Sequence, residues 1–143
     1  MKINHIQNEI IQEMSGLDDW MDKYEYLINL GRNFSPPEGK FKTDENALKG
    51  CQSKVWINAE LKGNKISFLA DSDSLITRGI LALLLRVLNH QHPEDIANSD
   101  LYFIDQIGLS TNLSPSRADG LASIIKQFKH FGAKFTPTEK EKS

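Results

Sequence analysis

An α+β fold, with helices packed on one face of a small antiparallel sheet of two to three strands, is what this 143-residue chain predicts. Three observations carry that expectation. Apolar residues recur at helical spacing from Ile3 to Ile28. The pattern switches to strict alternation between Val55 and Ala70. A run that is apolar nearly all round then follows from Leu75 to Leu88.

The first helix rests on Ile3, Ile6, Ile10 and Met14, with Asn4 placed to cap it and Ser15-Gly16 closing it. A second helix opens at Asp18-Asp19. Leu17, Trp20, Met21, Tyr24, Leu27 and Ile28 form its apolar stripe, read as core, and Gly31 stands where a terminating glycine would. Ser35-Pro36-Pro37-Glu38-Gly39 admits neither helix nor central strand, so it is a connector. A short strand is placed near Asn46-Ala47-Leu48.

Val55, Ile57, Ala59 and Leu61 alternate, and Ile66, Phe68 and Ala70 alternate again after Gly63-Asn64, a pair suited to a two-residue turn. Asp71-Ser72-Asp73-Ser74 offers several N-caps for the apolar helix that follows. Asn89 to Pro93 breaks that helix, and Pro93 starts a short one as its first residue. After Leu101 to Leu109, Ser114 and Pro115 open a last helix. Its stripe is Leu121, Ile124, Ile125, Phe128 and Phe131, closed by Gly132. Residues 1–135 are read as one domain, and 136–143 as a polar tail expected to be disordered.

Composition narrows the function classes. Hydrophobic residues make up 39% and charged residues 25%, a globular profile. The net charge of −2 carries no basic excess, which argues against a nucleic-acid partner. The apolar stretch from Gly79 to Leu85 is far shorter than the ~20 residues of a membrane span. The N-terminus has no apolar core of a signal peptide, and a lone cysteine cannot form an internal disulfide, so a cytoplasmic location is expected.

That cysteine, Cys51, lies between Gly50 and Gln52, with Lys49 and Lys54 nearby and the first strand just beyond. Two readings stand: a small buried hydrophobe, or a thiol whose pKa the neighbouring cations lower. Arg117 falls in the first turn of the last helix, where the macrodipole disfavours a cation. It either pairs locally with Asp119 or faces an anion. No glycine-rich phosphate loop or thiolate ligand set exists, so no cofactor or metal is expected. His90-Gln91-His92 reads as an exposed turn rather than a chelator, and Asp71 and Asp73 as caps rather than an acid–base pair.

Four stretches together resemble the SufE family of sulfur acceptors: Tyr24-Glu25-Tyr26-Leu27-Ile28-Asn29-Leu30-Gly31, Gly50-Cys51-Gln52-Ser53-Lys54-Val55-Trp56, Asp71-Ser72-Asp73-Ser74-Leu75-Ile76 with Gly79, and Leu113-Ser114-Pro115-Ser116-Arg117 with Gly120-Leu121. They agree in order and spacing over roughly residues 10–132. The resemblance implies an α+β domain shared with IscU-type scaffolds, often homodimeric. It implies a PLP-dependent, SufS-like cysteine desulfurase as partner, with the PLP on that partner, and an iron–sulfur scaffold as recipient. By position Cys51 matches the acceptor cysteine and Arg117 the arginine near it. Gly50, Gln52, Ser53, Lys54 and the start of the last helix are then candidate docking residues. Asp119 departs from the family, which commonly has an amide there, and a carboxylate at that position could pair with Arg117. Two other classes compete. A thiol hydrolase would need a histidine beside Cys51. A cluster scaffold would need more thiolates than one.

Overall fold

The computed structural model describes residues 2–36, 38–50 and 53–137. Met1, Pro37, Cys51, Gln52 and residues 138–143 lie outside the described residues, and most of the expected tail with them. The elements are α1 (Lys2–Met14), α2 (Trp20–Asn33), a 3-10 turn (Asp44–Asn46), β1 (Val55–Lys62), β2 (Lys65–Ser72), α3 (Leu75–Leu88), α4 (Pro93–Ala97), α5 (Phe103–Gln106), α6 (Leu109–Asn112) and α7 (Pro115–Phe135).

β1 and β2 pair antiparallel from Val55↔Ser72 to Lys62↔Lys65. Gly63 makes the turn possible, with φ at +65°. The strand expected near Asn46 to Leu48 reduces to one bridge, Ala47↔Trp56, beside the 3-10 turn. Alternation then does the sorting: Val55, Ile57, Ile66, Phe68 and Ala70 turn to one face and are buried. The Phe68 ring meets Phe128 of α7 edge-on, centroids 4.9 Å apart at 80°. Burying each of these phenyl groups stabilises the fold by about 1.5–3 kcal/mol.

α3 is the central helix, as its composition demands. Ile76, Ile80, Leu81, Leu83, Leu84, Val87 and Leu88 are all buried, and the Ser74 hydroxyl caps it by accepting the Thr77 N–H. α2 crosses α3 where two glycines meet. A Cβ on Gly31 would overlap the Leu75 carbonyl, and one on Gly79 the Leu27 carbonyl. Gly31 is therefore not a helix terminator. α2 continues to Asn33 and ends at Phe34, which takes an extended conformation. Gly132 likewise lies inside α7, where its bare Cα faces α4. A Cβ there would sit 2.7 Å from the Ala97 nitrogen and 2.9 Å from the Pro93 oxygen.

Two further expectations change, and one buried polar residue stands out. Asn4 lies within α1, where its side chain accepts from Gln7 Nε2 at 3.3 Å, and caps nothing. Gln7 is fully buried and works across the core. It donates to the Asp100 carbonyl at 3.0 Å and accepts the Phe103 N–H at 3.1 Å. In the α2 stripe Leu27 is buried and Trp20 and Tyr24 pack against the core, whereas Met21 is 71% exposed. Among the described residues no helix is long and apolar enough to cross a membrane.

Candidate functional site

The described residues on either side of the lone cysteine are tied to the sheet. The Leu48 N–H donates to the Val55 carbonyl at 2.8 Å, which ties the chain before the cysteine to the start of β1. Gly50 holds φ at +86°, a left-handed conformation that glycine adopts without steric cost. Cys51 and Gln52 fall outside the described residues; Gly50, Ser53 and Lys54 are described.

Lys54 is anchored through its backbone. Its N–H donates to Asp73 Oδ1 at 3.0 Å. Its carbonyl accepts the Ser72 hydroxyl at 2.7 Å and the Asp73 N–H at 3.2 Å. Asp73 therefore clamps the loop and is not the cap of α3, a task that Ser74 performs. Asp71 does not cap either. It is buried at 5% exposure, with Lys42 Nζ 3.1 Å from Oδ2 and Arg78 Nε 3.1 Å from Oδ1. The Arg78 approach is an ion pair without hydrogen-bond alignment. Arg78 also donates to the Phe34 carbonyl, and the Lys42 ammonium lies 5.1 Å from the centre of a Trp56 ring. The local sequence resembled a capping run because any Asp before a helix does. The β2 pleat decides otherwise, turning Asp71 to the sheet face opposite Ala70.

Ser53 and Val55 form one wall of a cavity of about 30 Å³. α3 supplies Ile76, Thr77 and Ile80, and the start of α7 supplies Arg117, Gly120, Leu121 and Ile124. The lining is mostly apolar, with hydroxyls and one guanidinium at its edge. On the outer side of Arg117 lies an open cleft of about 450 Å³, bordered by Trp20, Tyr24, Asn112, Leu113 and Ser114. Arg117 thus borders both spaces. Its Nη1 donates to the Tyr24 hydroxyl at 3.4 Å. Among the described residues no ion pair joins it to Asp119, which sits exposed on the same helix.

The arrangement therefore brings Ser53 and Arg117 to one cavity, across 64 residues of chain (117 − 53). The Tyr24 link was not anticipated. The signal for it was faint, a hydroxyl-bearing residue within an otherwise apolar stripe. No histidine lines this cavity. His92 Nδ1 lies 3.1 Å from the Asn64 carbonyl, and His5 pairs with Glu9 at 2.9 Å. Among the described residues no group of three or more His, Cys, Asp or Glu gathers as a metal site.

Comparison with known proteins bears on the family and the fold. Residues 8–131 match the family described as SufE, Fe-S metabolism associated domain. An uncharacterized SufE-like protein of Rhizobium meliloti is 35% identical over 127 residues, covering 85% of this chain and 91% of that protein. The cysteine desulfuration protein SufE of Wigglesworthia glossinidia brevipalpis is 35% identical over 130 residues, covering 90% of this chain and 87% of its own. A solution structure of a hypothetical protein from Thermus thermophilus superposes with a TM-score of 0.72 over 91% of this chain and 95% of its own; at 17% identity it speaks for the α+β fold alone. With a family match over most of its length and relatives at this identity, the chain belongs to the SufE family.

Proposed function

We propose that this protein accepts sulfur at Cys51 from the persulfide of a PLP-dependent, SufS-like cysteine desulfurase, stimulates that enzyme, and passes the sulfur to an iron–sulfur cluster scaffold. Membership of a family described as associated with Fe-S metabolism sets the frame. One observation supports the reading most. Residues from three stretches far apart in sequence line one cavity: Ser53 with Val55, Ile76 with Ile80, and Arg117 with Leu121. A purely structural role would not require a guanidinium at a mostly apolar hollow.

The chemistry asks little of the chain. The Cys51 thiolate attacks the outer sulfur of the donor persulfide. A new S–S bond forms, the old one breaks, and the donor's thiolate leaves with its electron pair. No net oxidation occurs and no cofactor on this chain takes part; PLP belongs to the partner. The product is an anionic persulfide on Cys51, for which Arg117 supplies the positive charge, and a mostly apolar hollow slows oxidation of the terminal sulfur. Gly50, Gln52, Ser53, Lys54 and the first turn of α7 are the residues assigned to docking. The reading includes a single domain over 1–135, a homodimer and a cytoplasmic location.

The test is intact-mass analysis after mixing the protein with a PLP desulfurase and cysteine. A gain of one sulfur on the peptide holding Cys51 is expected, together with loss of both the gain and the stimulation in Cys51→Ser. Undiminished stimulation by Cys51→Ser overturns the proposal. A thiol hydrolase reading is disfavoured because no histidine lines the cavity.

A further inference from the structure

We infer that Tyr24 is a positioning residue for Arg117, holding the guanidinium between the small cavity lined by Ser53 and Val55 and the larger cleft beside it. The inference rests on the reading of Cys51 as the reactive thiol, and it adds a residue and a device that the reading does not contain.

Arg117 needs such a device. It stands exposed in the first turn of a 21-residue helix, where the macrodipole opposes its charge. Among the described residues no carboxylate lies in ion-pair range of it. An arginine left in this state spreads over several rotamers and delivers its charge nowhere in particular. The Tyr24 hydroxyl is the acceptor that the structure provides, at 3.4 Å from Nη1.

Tyr24 itself is held from both sides. Its ring is half-buried against the core and meets Trp20 edge-on, centroids 6.3 Å apart at 62°. Its helix is fixed in depth, because Gly31 lets α2 press on the α3 backbone and Gly79 lets α3 press on the α2 backbone. The hydroxyl therefore has little freedom of its own. A phenolic oxygen is also the right acceptor here. It fixes direction without neutralising the cation, whereas a carboxylate such as Asp119 would direct the guanidinium and cancel its field together.

The experiment compares alkylation of Cys51 by iodoacetate, an anion, with alkylation by the neutral iodoacetamide. The ratio of the two rates reports positive charge at the thiol and is insensitive to loop opening, which changes both rates alike. Arg117→Met is expected to lower the ratio. Tyr24→Phe, which keeps the ring, is expected to lower it by about two- to fivefold, the range of one modest hydrogen bond. In an Arg117→Met background, Tyr24→Phe should change nothing further, since the two residues act as one unit. A wild-type ratio in Tyr24→Phe overturns the inference, as does a drop that persists undiminished without Arg117. A wild-type ratio in Arg117→Met overturns it as well, by removing the charge that Tyr24 is argued to place. The sulfur mass gain on Cys51 is read separately. Its absence defeats the sulfur-acceptor reading, whereas its presence with an unmoved ratio defeats the positioning role alone.

Discussion

Asp73 and Lys54 are locked to each other by a pair of bonds: the Lys54 N–H donates to Asp73 Oδ1 at 3.0 Å, and the Asp73 N–H returns to the Lys54 carbonyl at 3.2 Å. With the Ser72 hydroxyl on the same carbonyl, the loop after Cys51 is fastened to the end of β2. Removing the carboxylate leaves the Lys54 amide to water. Asp73→Ala should therefore speed hydrogen exchange at that amide by about fivefold, corresponding to about 1 kcal/mol of local stability. Asp73→Asn keeps an acceptor oxygen and should fall between the two. An unchanged exchange rate in the alanine variant would show that the backbone pair alone holds the loop.

The crossing of α2 and α3 tests whether two glycines are kept for contact or for chain freedom. Helix propensity alone predicts that Gly31→Ala or Gly79→Ala stabilises the fold by about 1 kcal/mol. The contact predicts the opposite, since the added methyl would overlap a backbone carbonyl, and carbonyls on packed helices cannot swing away. Overpacking of this kind costs about 1–3 kcal/mol or more. Each variant should lower the denaturant midpoint, and a raised midpoint in either would refute the contact argument.

Those glycines also mark how far the sequence can be read. α3 was legible to its end residues because a capping serine, an unbroken apolar run and a following break all agree locally. The hairpin was legible for the same reason, with alternation on both sides of Gly63-Asn64. Gly31 and Gly132 were misread as terminators because close approach of a second helix leaves no trace in a helix's own pattern. Asp71 and Asp73 were misread as caps because their partners, Lys42, Arg78 and Lys54, come from other parts of the chain. At the site, the lone cysteine with its glycine and the oddly placed arginine drew notice from the residues alone. Their place in one scheme came from resemblance to a family. That Ser53 and Arg117 would share a cavity, and that Tyr24 would bond the arginine, depended on how α2, α3 and α7 dock.

Arg86 of α3 holds α1 in place, reaching Glu13 at 2.6 Å and Glu9 at 3.3 Å. The hydrogen bond from Arg86, aided by its charge and opposed by partial desolvation, keeps the Glu13 carboxyl below the usual glutamate range. A folded-state pKa below the unfolded one gives stability that is fully present above the unfolded value of about 4.3 and is lost as pH falls through the lower folded one. Both side chains are over a third exposed, so solvent screening limits the contribution to less than about 1 kcal/mol. Glu13→Gln should therefore be slightly less stable than wild type at pH 7, and the gap should close as the pH is lowered below about 4. Urea titrations at several pH values measure this; a gap that is constant with pH would assign the loss to packing instead.

Asp71 is the strongest test of what holds the connector after α2. It is buried between Lys42 and Arg78, and Arg78 in turn holds the Phe34 carbonyl. One carboxylate thus joins the two ends of the stretch from Phe34 to Lys42 to the sheet and to α3. Asp71→Asn retains the shape but removes the charge, leaving two cations close together with none to balance them. Breaking one partner of a buried pair costs about 3–5 kcal/mol; the partial exposure of Lys42 should reduce this to about 2. Asp71→Asn combined with Arg78→Met removes the uncompensated guanidinium and should recover part of that loss. Limited proteolysis reads the same event locally: cleavage between Phe34 and Lys42 should rise in Asp71→Asn and stay raised in the double variant, which also lacks the Arg78 bond to the Phe34 carbonyl. If the single variant melts and is cleaved as wild type, the connector is held by contacts other than this carboxylate.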